Sequence, residues 1–247
     1  MPKDQTEAIV LRSFHVGDQD KIVVFFSRNR GILKGIAKGA RKFGNRFGSC
    51  LEPLSHIKVY FYEKESKDLV TVSQSDLLES FFEIQSDLDT AFTLRYFSEL
   101  IEHSLPSRSE DDVLYRLLLQ VLRALKKGKE LILLTAYFEL WFLKINGFFP
   151  NLKKCKRCGQ KIDAGFLSSQ RDGILCSVCS SQHNENINSD DNSLFAWIIK
   201  NPPTSEEERP FSKEQIRRAR QVLKKMIVYH MESRPRFPDD LKKHFNI

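Results

Sequence analysis

Cys155-Lys156-Arg157-Cys158, followed after seventeen residues by Cys176-Ser177-Val178-Cys179, uses four of the five cysteines in a chain of 247 residues. Two C-x-x-C turns at this spacing aim four thiolates at one point, which is the ligand pattern of a zinc ribbon. Gly159 follows the first pair as a knuckle glycine does. Lys153, Lys154, Lys156 and Arg157 offset thiolate charge, and Gly173 marks the hairpin that returns to Cys176. A cage of four sulfurs leaves Zn2+ no open position for water, so the expected metal, one Zn2+ held by Cys155, Cys158, Cys176 and Cys179, is structural rather than catalytic. Two disulfides or a redox pair are the competing readings. Disulfides need an oxidising compartment, and the chain opens Met1-Pro2-Lys3-Asp4-Gln5 with no apolar signal core, so a cytoplasmic protein is expected, with Cys50 left unpaired.

Upstream of the ribbon the pattern is one of strands. Glu7–Ser13, Lys21–Phe26, Gly31–Lys38, Pro53–Tyr62 and Leu69–Ser73 alternate or run apolar between turn residues such as Gly17-Asp18 and Asn29-Arg30-Gly31. Five strands in so short a span predict a small barrel, and an OB-fold or an SH3-like barrel would each account for them. Gly39 to Ser49 breaks the alternation and reads as a mobile loop.

The net charge of +7 is concentrated here. Between Lys21 and Leu51 stand eight basic residues and no acidic one, so the remainder of the chain is slightly negative. An acid-free window of this length is an electrostatic footprint for a polyanion. Lys34, Lys38, Arg41, Lys42 and Arg46 are the candidate phosphate contacts, with Phe43 and Phe47 interleaved to stack on bases.

From Asp76 the apolar period becomes helical. Leu88 to Ile101 and Val113 to Leu125 mark two helices, and Glu130–Asn146, apolar nearly all round and stopped by Gly147, predicts the central helix of a bundle. At fifteen residues interrupted by Glu139, the apolar run Leu131 to Ile145 falls short of the ~20 residues of a bilayer span, and no membrane association is expected. Beyond the ribbon, Ser193–Lys200 resumes as helix, and Ser212-x-x-Gln215 caps a last helix reaching about Glu232. One face of that helix carries Arg217, Arg218, Arg220, Lys224 and Lys225, and Arg217, Arg218 and Lys224 are candidates for a second nucleic-acid contact. The expected organisation is therefore α+β and multidomain. Residues 1–78 form an OB-like barrel, 79–150 a helical bundle and 151–182 the inserted ribbon, while 183–247 are helices completing the helical domain.

Convergent reactive groups are scarce. Gly31 to Ala40 lacks the Gly-Lys-Ser/Thr of a P-loop. His183-Asn184-Glu185 has the H-x-E of zinc deaminases, but the cysteines precede it instead of following. Asp111-Asp112 and Glu206–Glu208 are explained by a helix start and an exposed loop. No enzymatic activity is expected.

Thr6-Glu7-Ala8-Ile9-Val10-Leu11-Arg12, Gly35-Ile36-Ala37-Lys38-Gly39-Ala40-Arg41 and Leu77-Leu78-Glu79-Ser80-Phe81 come in succession. Phe138-Glu139-Leu140, Gly147-Phe148-Phe149-Pro150, the four cysteines and Ser233-Arg234-Pro235-Arg236 follow in order. The whole resembles the bacterial RecO family of DNA repair and recombination mediators, over essentially the full chain. That resemblance implies a cytoplasmic protein, nucleoid-associated during repair, that binds single- and double-stranded DNA and anneals complementary strands without ATP. Implied partners are RecR and the C-terminal tail of the single-strand-binding protein, and RecA indirectly, through its loading at gaps. The tail is expected to be acidic with an apolar end, so its receptor needs an apolar slot with a cationic rim. Trp197, Phe195 and Tyr137–Phe142 are candidates for the slot, and Lys144, Lys200 or residues 217–225 for the rim. A zinc-ribbon protein of RNA binding or translation would share the barrel and the charge, and preference for DNA separates the two.

Overall fold

Val23-Val24-Phe25-Phe26 and Ile57, Val59 and Phe61 carry too much apolar surface to remain solvated, and their extended segments roll up around it. The computed structural model describes residues 3–63, 68–180, 185–206 and 210–232. Calls on His183, Asn184, Glu207 and Glu208, the 182/183 boundary and Ser233–Arg236 lie outside them. Strands β1 (Lys3–Val16), β2 (Asp20–Ser27), β3 (Gly31–Ala37), β4 (His56–Tyr62) and β5 (Leu69–Glu79) close into a barrel in the order β1-β2-β3-β5-β4. Every join is antiparallel except β3 to β5, where Gly35 pairs with Val70. This is the OB-fold.

β1 outruns its expected span because it serves two neighbours. Its first half pairs with β4 and its second with β2, and a register shift between Val10 and Arg12 provides the bend. At the parallel join Gly35 supplies room: a Cβ there would lie 2.8 Å from the Val72 side chain and 3.2 Å from Phe25.

Gly39 to Ser49, expected as a mobile loop, is tied down by hydrogen bonds to the β1–β2 turn and within itself. The Gly39 amide donates to Asp20 Oδ1 at 2.8 Å, and the Arg41 amide to the Gln19 carbonyl at 2.9 Å. Asn45 Oδ1 accepts from the amides of Phe47 and Gly48. Phe47, Cys50 and Leu51 then enter the barrel core, where Phe47 is 2% exposed. Burying a phenyl ring contributes roughly 2–3 kcal/mol, which together with the other buried side chains and the hydrogen bonds helps to offset the backbone entropy of ordering the loop.

The chain divides into two compact units, Met1–Leu122 and Arg123–Ile247, with the division in the last turns of α2. Helices α1 (Leu88–Ser104) and most of α2 (Asp112–Lys126) thus pack with the barrel. Arg12 is ion-paired to Glu102, Arg28 Nε donates to Asp112 at 2.9 Å, and Phe26 meets the edge of Tyr115 at 5.6 Å. A boundary at 78/79 follows the change of periodicity, whereas these contacts join helices to strands.

In the second unit α3 (Leu131–Ile145) is buried on nearly every side and packs against α4 (Ser189–Lys200) and α5 (Lys213–Glu232). That is the central position its composition predicts. α4 begins four residues before Ser193 because Asn188 and Asp191 form a reciprocal capping box. The Ser212–Gln215 box opens α5 as the sequence indicates. Between α3 and α4 lies a three-stranded sheet of β6 (Gly165–Leu167), β7 (Ile174–Leu175) and β8 (Asn186–Ile187), ordered β7-β6-β8. No helix among the described residues is long and apolar enough to cross a membrane.

Candidate nucleic-acid interface and metal centre

The acid-free window separates on folding into two groups. Lys21 reaches Glu52 at 2.9 Å, Arg28 reaches Asp112 and Glu7, and Arg30 pairs with Asp4. Lys34, Lys38, Arg41, Lys42 and Arg46 have no carboxylate within 4 Å among the described residues, and all five are exposed. Lys34 projects from β3, and the others follow it on the loop docked against the β1–β2 turn. Arg41 is held in place by backbone: its Nη1 donates to the carbonyls of Gly17 and Asp18 at 3.3 and 3.2 Å. Acids absent from the sequence window are supplied to three of the cations by other segments, and none among the described residues reaches the other five.

The two phenylalanines of the loop part company. Phe43 is fully exposed. Phe47 is buried in the barrel, with the Arg46 guanidinium 4.8 Å from its ring centre, so it is withdrawn from the candidate base-stacking residues. Spacing along a loop does not tell an inward ring from an outward one.

α5 also differs from its sequence reading. Arg217 pairs with Glu214 at 3.5 Å, Arg218 with Asp191 at 3.8 Å and Lys225 with Glu185 at 2.7 Å. Arg220 binds both oxygens of the buried Glu139 at 2.9 and 3.0 Å. Lys224 is half-buried, and loss of solvation holds its ammonium below the usual lysine range against the pull of Glu139. Arg217, Arg218 and Lys224 are therefore not gathered into a free basic face. The counter-charge of Arg217 lies one turn away on α5 itself, whereas those of Arg218, Arg220 and Lys225 come from the start of α4, from α3 and from the residue before β8, remote in sequence.

The four ribbon sulfurs converge. All lie within 4.8 Å of one another, and Cys158 Sγ stands 3.9 Å from Cys176 Sγ. Tetrahedral coordination with metal–sulfur bonds of about 2.3 Å places sulfurs about 3.8 Å apart. Each knuckle is closed by backbone hydrogen bonds: the Gly159 amide donates to the Cys155 carbonyl at 2.9 Å, and the Ser180 amide to the Cys176 carbonyl at 2.9 Å. Gly159 has φ of 75°, the left-handed conformation that this turn requires.

Backbone amides of Cys158 and then Cys176 pull the Cys155 thiol down to about 6, the latter donating to its sulfur at 3.4 Å. The Cys179 thiol is pushed up to about 12, first by its hydrogen bond to Cys176 and then by burial. Four sulfurs this close cannot all ionise without a cation among them, so the donor set fits a metal ion. Cys50 lies apart in the barrel core, its thiol donating to the Ser75 carbonyl at 3.5 Å.

A feature the sequence did not delimit is a cleft of about 170 Å³ in the second unit, lined by Leu133, Leu134, Tyr137, Trp197 and Pro202 with Lys129 at its side. Tyr137 and Trp197 were candidates for an apolar slot. Phe195, Phe138 and Phe142 are fully buried core, and Lys144 lies over the Trp141 ring at 4.6 Å. One wall is the proline loop after α4, which has no periodicity from which its position can be inferred.

The N-terminal region matches the family model Recombination protein O N terminal over residues 1–81, and the remainder matches Recombination protein O C terminal over residues 85–236. A DNA repair protein RecO of Koribacter versatilis is 32% identical over 231 residues, covering 93% of this chain and 94% of the relative. Proteins of the same name from Thermodesulfovibrio yellowstonii and Dehalococcoides mccartyi are 32% and 30% identical, covering 72% and 71% of this chain and 70% and 69% of theirs. With both halves matched, and with the barrel, helices and cysteine cluster arranged as described, the chain belongs to the RecO family of DNA repair proteins.

Proposed function

We propose that this protein is a recombination mediator that binds single- and double-stranded DNA through Lys34, Lys38, Arg41, Lys42 and Arg46, with Phe43 stacking on bases. It anneals complementary strands and, with RecR, helps RecA onto DNA coated by single-strand-binding protein. It performs no chemical step: annealing needs only that two polyanions approach, which bound cations permit. Five exposed cations on β3 and the loop after it, with no carboxylate within 4 Å among the described residues, are the observation that carries this reading, since every other base of the same window is paired. An RNA-binding role would use the same cations, and competition between DNA and RNA of one sequence decides against it if DNA wins.

Glu at Lys38, Arg41 and Lys42 together is expected to weaken single-strand binding by about a hundredfold, and Glu at Lys126, Lys127 and Lys200 by far less, although the charge change is equal. For about four phosphates contacted, log K against log salt should slope near roughly −3, and the barrel variant's slope should flatten. Equal losses from both triples would leave net charge as the sole cause and refute the assignment.

The cleft of Tyr137 and Trp197 is the proposed receptor for the tail of the single-strand-binding protein. Its apolar lining suits the tail's apolar end. Trp197→Ala should slow annealing of strands precoated with that protein while leaving naked strands unaffected. Equal effects on both substrates would remove the cleft from this role. Co-elution with RecR, and relief by the pair of the delay in RecA assembly on coated DNA, test the remaining partners. The metal is proposed to be one structural Zn2+ on Cys155, Cys158, Cys176 and Cys179, where it supplies cross-linking and charge neutralisation.

A further inference from the structure

We propose that the ribbon is itself a nucleic-acid contact: Lys153, Lys154 and Lys161 hold the phosphate backbone of a second DNA strand. The inference rests on the annealing role above and gives the second strand its place.

Lys154 and Lys161 are direct partners across an antiparallel bridge, flanked by the Cys155 amide donating to the Gln160 carbonyl at 2.8 Å and the Ile162 amide to the Lys153 carbonyl at 3.1 Å. Like charges facing each other across a pair of strands destabilise it, by an amount on the order of a few tenths of a kcal/mol to 1 kcal/mol. No carboxylate relieves the repulsion, and the neighbouring cysteine cluster, whose four thiolates around a divalent ion would carry a formal charge of about −2, offsets it only in part. Lys153, Lys154 and Lys161 are exposed, and none has a carboxylate within 4 Å among the described residues. The acids of the region are engaged elsewhere: Asp172 pairs with Lys156, and Glu185 with Arg171 and Lys225. Asp163 is exposed, and its carboxylate makes no ion pair with these lysines among the described residues. Residues 151–180 hold six basic side chains and two acidic ones.

A local repulsion compensated only in part marks a site that can take further counter-charge from outside. A phosphate backbone has the required chemistry, with anionic oxygens spaced closely enough for adjacent lysines to contact successive phosphates. Annealing requires a protein to tolerate two polyanions at once. The barrel cations suffice for one strand. α5 offers little to the other, because Arg217, Arg218, Arg220 and Lys225 are paired within their own unit.

The test uses full-length, metal-loaded protein saturated with one unlabelled strand and then given its labelled complement. With Gln at Lys153, Lys154 and Lys161, annealing should slow by about tenfold and lose part of its salt dependence, while affinity for the first strand changes by less than about twofold. Metal content should stay at the wild-type value. Lys154→Glu is the second variant: it places opposite charges across the bridge, so the ribbon should resist proteolysis at least as well as wild type and yet anneal more slowly. Wild-type annealing rates in both variants overturn the proposal. So does metal loss from the triple variant, which would assign these lysines to the cage. A wild-type protein that anneals nothing overturns the DNA reading as well, whereas unchanged variants beside an active wild type sink only the ribbon's part.

Discussion

Removing the metal, by chelation or by Cys155→Ser, is expected to unfold the ribbon and leave the barrel intact. The β6–β8 sheet has strands of three, two and two residues, and its buried apolar side chains are few, chiefly Leu167, Ile174 and Ile187. A core so small does not repay the ordering of about thirty residues, at about 1–2 kcal/mol of backbone entropy each. Metal binding would make up the difference, tetrahedral zinc sites having an apparent free energy on the order of 10 kcal/mol at neutral pH. Metal analysis of protein purified without chelator should give one zinc per chain. Proteolysis of Cys155→Ser should cut between residues 151 and 180 at a greatly increased rate, with the thermal transition of the barrel unmoved. An intact ribbon in that variant, or protein free of zinc, would refute the structural role. Disulfides are not what holds it: all four sulfurs are free thiols, and the 3.9 Å between Cys158 and Cys176 is far beyond the about 2.05 Å of a bond.

Arg220→Ala is expected to destabilise the second unit by about 3–5 kcal/mol, because it leaves the Glu139 carboxylate buried without the guanidinium that neutralises it. Glu139 is 0% exposed in the middle of α3 and Arg220 20%, so the carboxylate itself has no contact with solvent. Replacing both residues by Met should restore most of the loss, since the desolvation of two charges is then avoided. Urea unfolding measures the difference directly, with Arg217→Ala as the comparison. That arginine makes an exposed pair with Glu214 that solvent screens, and its removal should cost little. Similar midpoints for the two single variants would show that the buried pair has no special weight.

Those two features were visible in the sequence to different degrees. The cysteine spacing states its own geometry, because a C-x-x-C turn has few backbone solutions and the ligands are local to each turn. The barrel strands, the central helix α3 and the Ser212–Gln215 cap were legible for a similar reason: periodicity and capping act within one or two turns of the chain. Glu139 could be noted only as an interruption in an apolar run. Its partner lies 81 residues away, and pairing at that distance depends on how helices pack.

The candidate nucleic-acid site divides in the same way. That residues 21–51 are basic and free of acid is a property of the sequence alone, and so is the family likeness carried by its motifs. Which of the eight cations remain for a ligand was decided by tertiary structure, because Glu52, Asp4, Glu7 and Asp112 reach three of them from other segments. Folding likewise turned Phe47 inward and Phe43 outward, paired the cations of α5, and set Lys154 against Lys161. Local patterns determine which elements form and which chemistry they carry. Burial and counter-charge are set by residues that meet only after the chain has folded, and those two quantities decide which side chains remain free to bind.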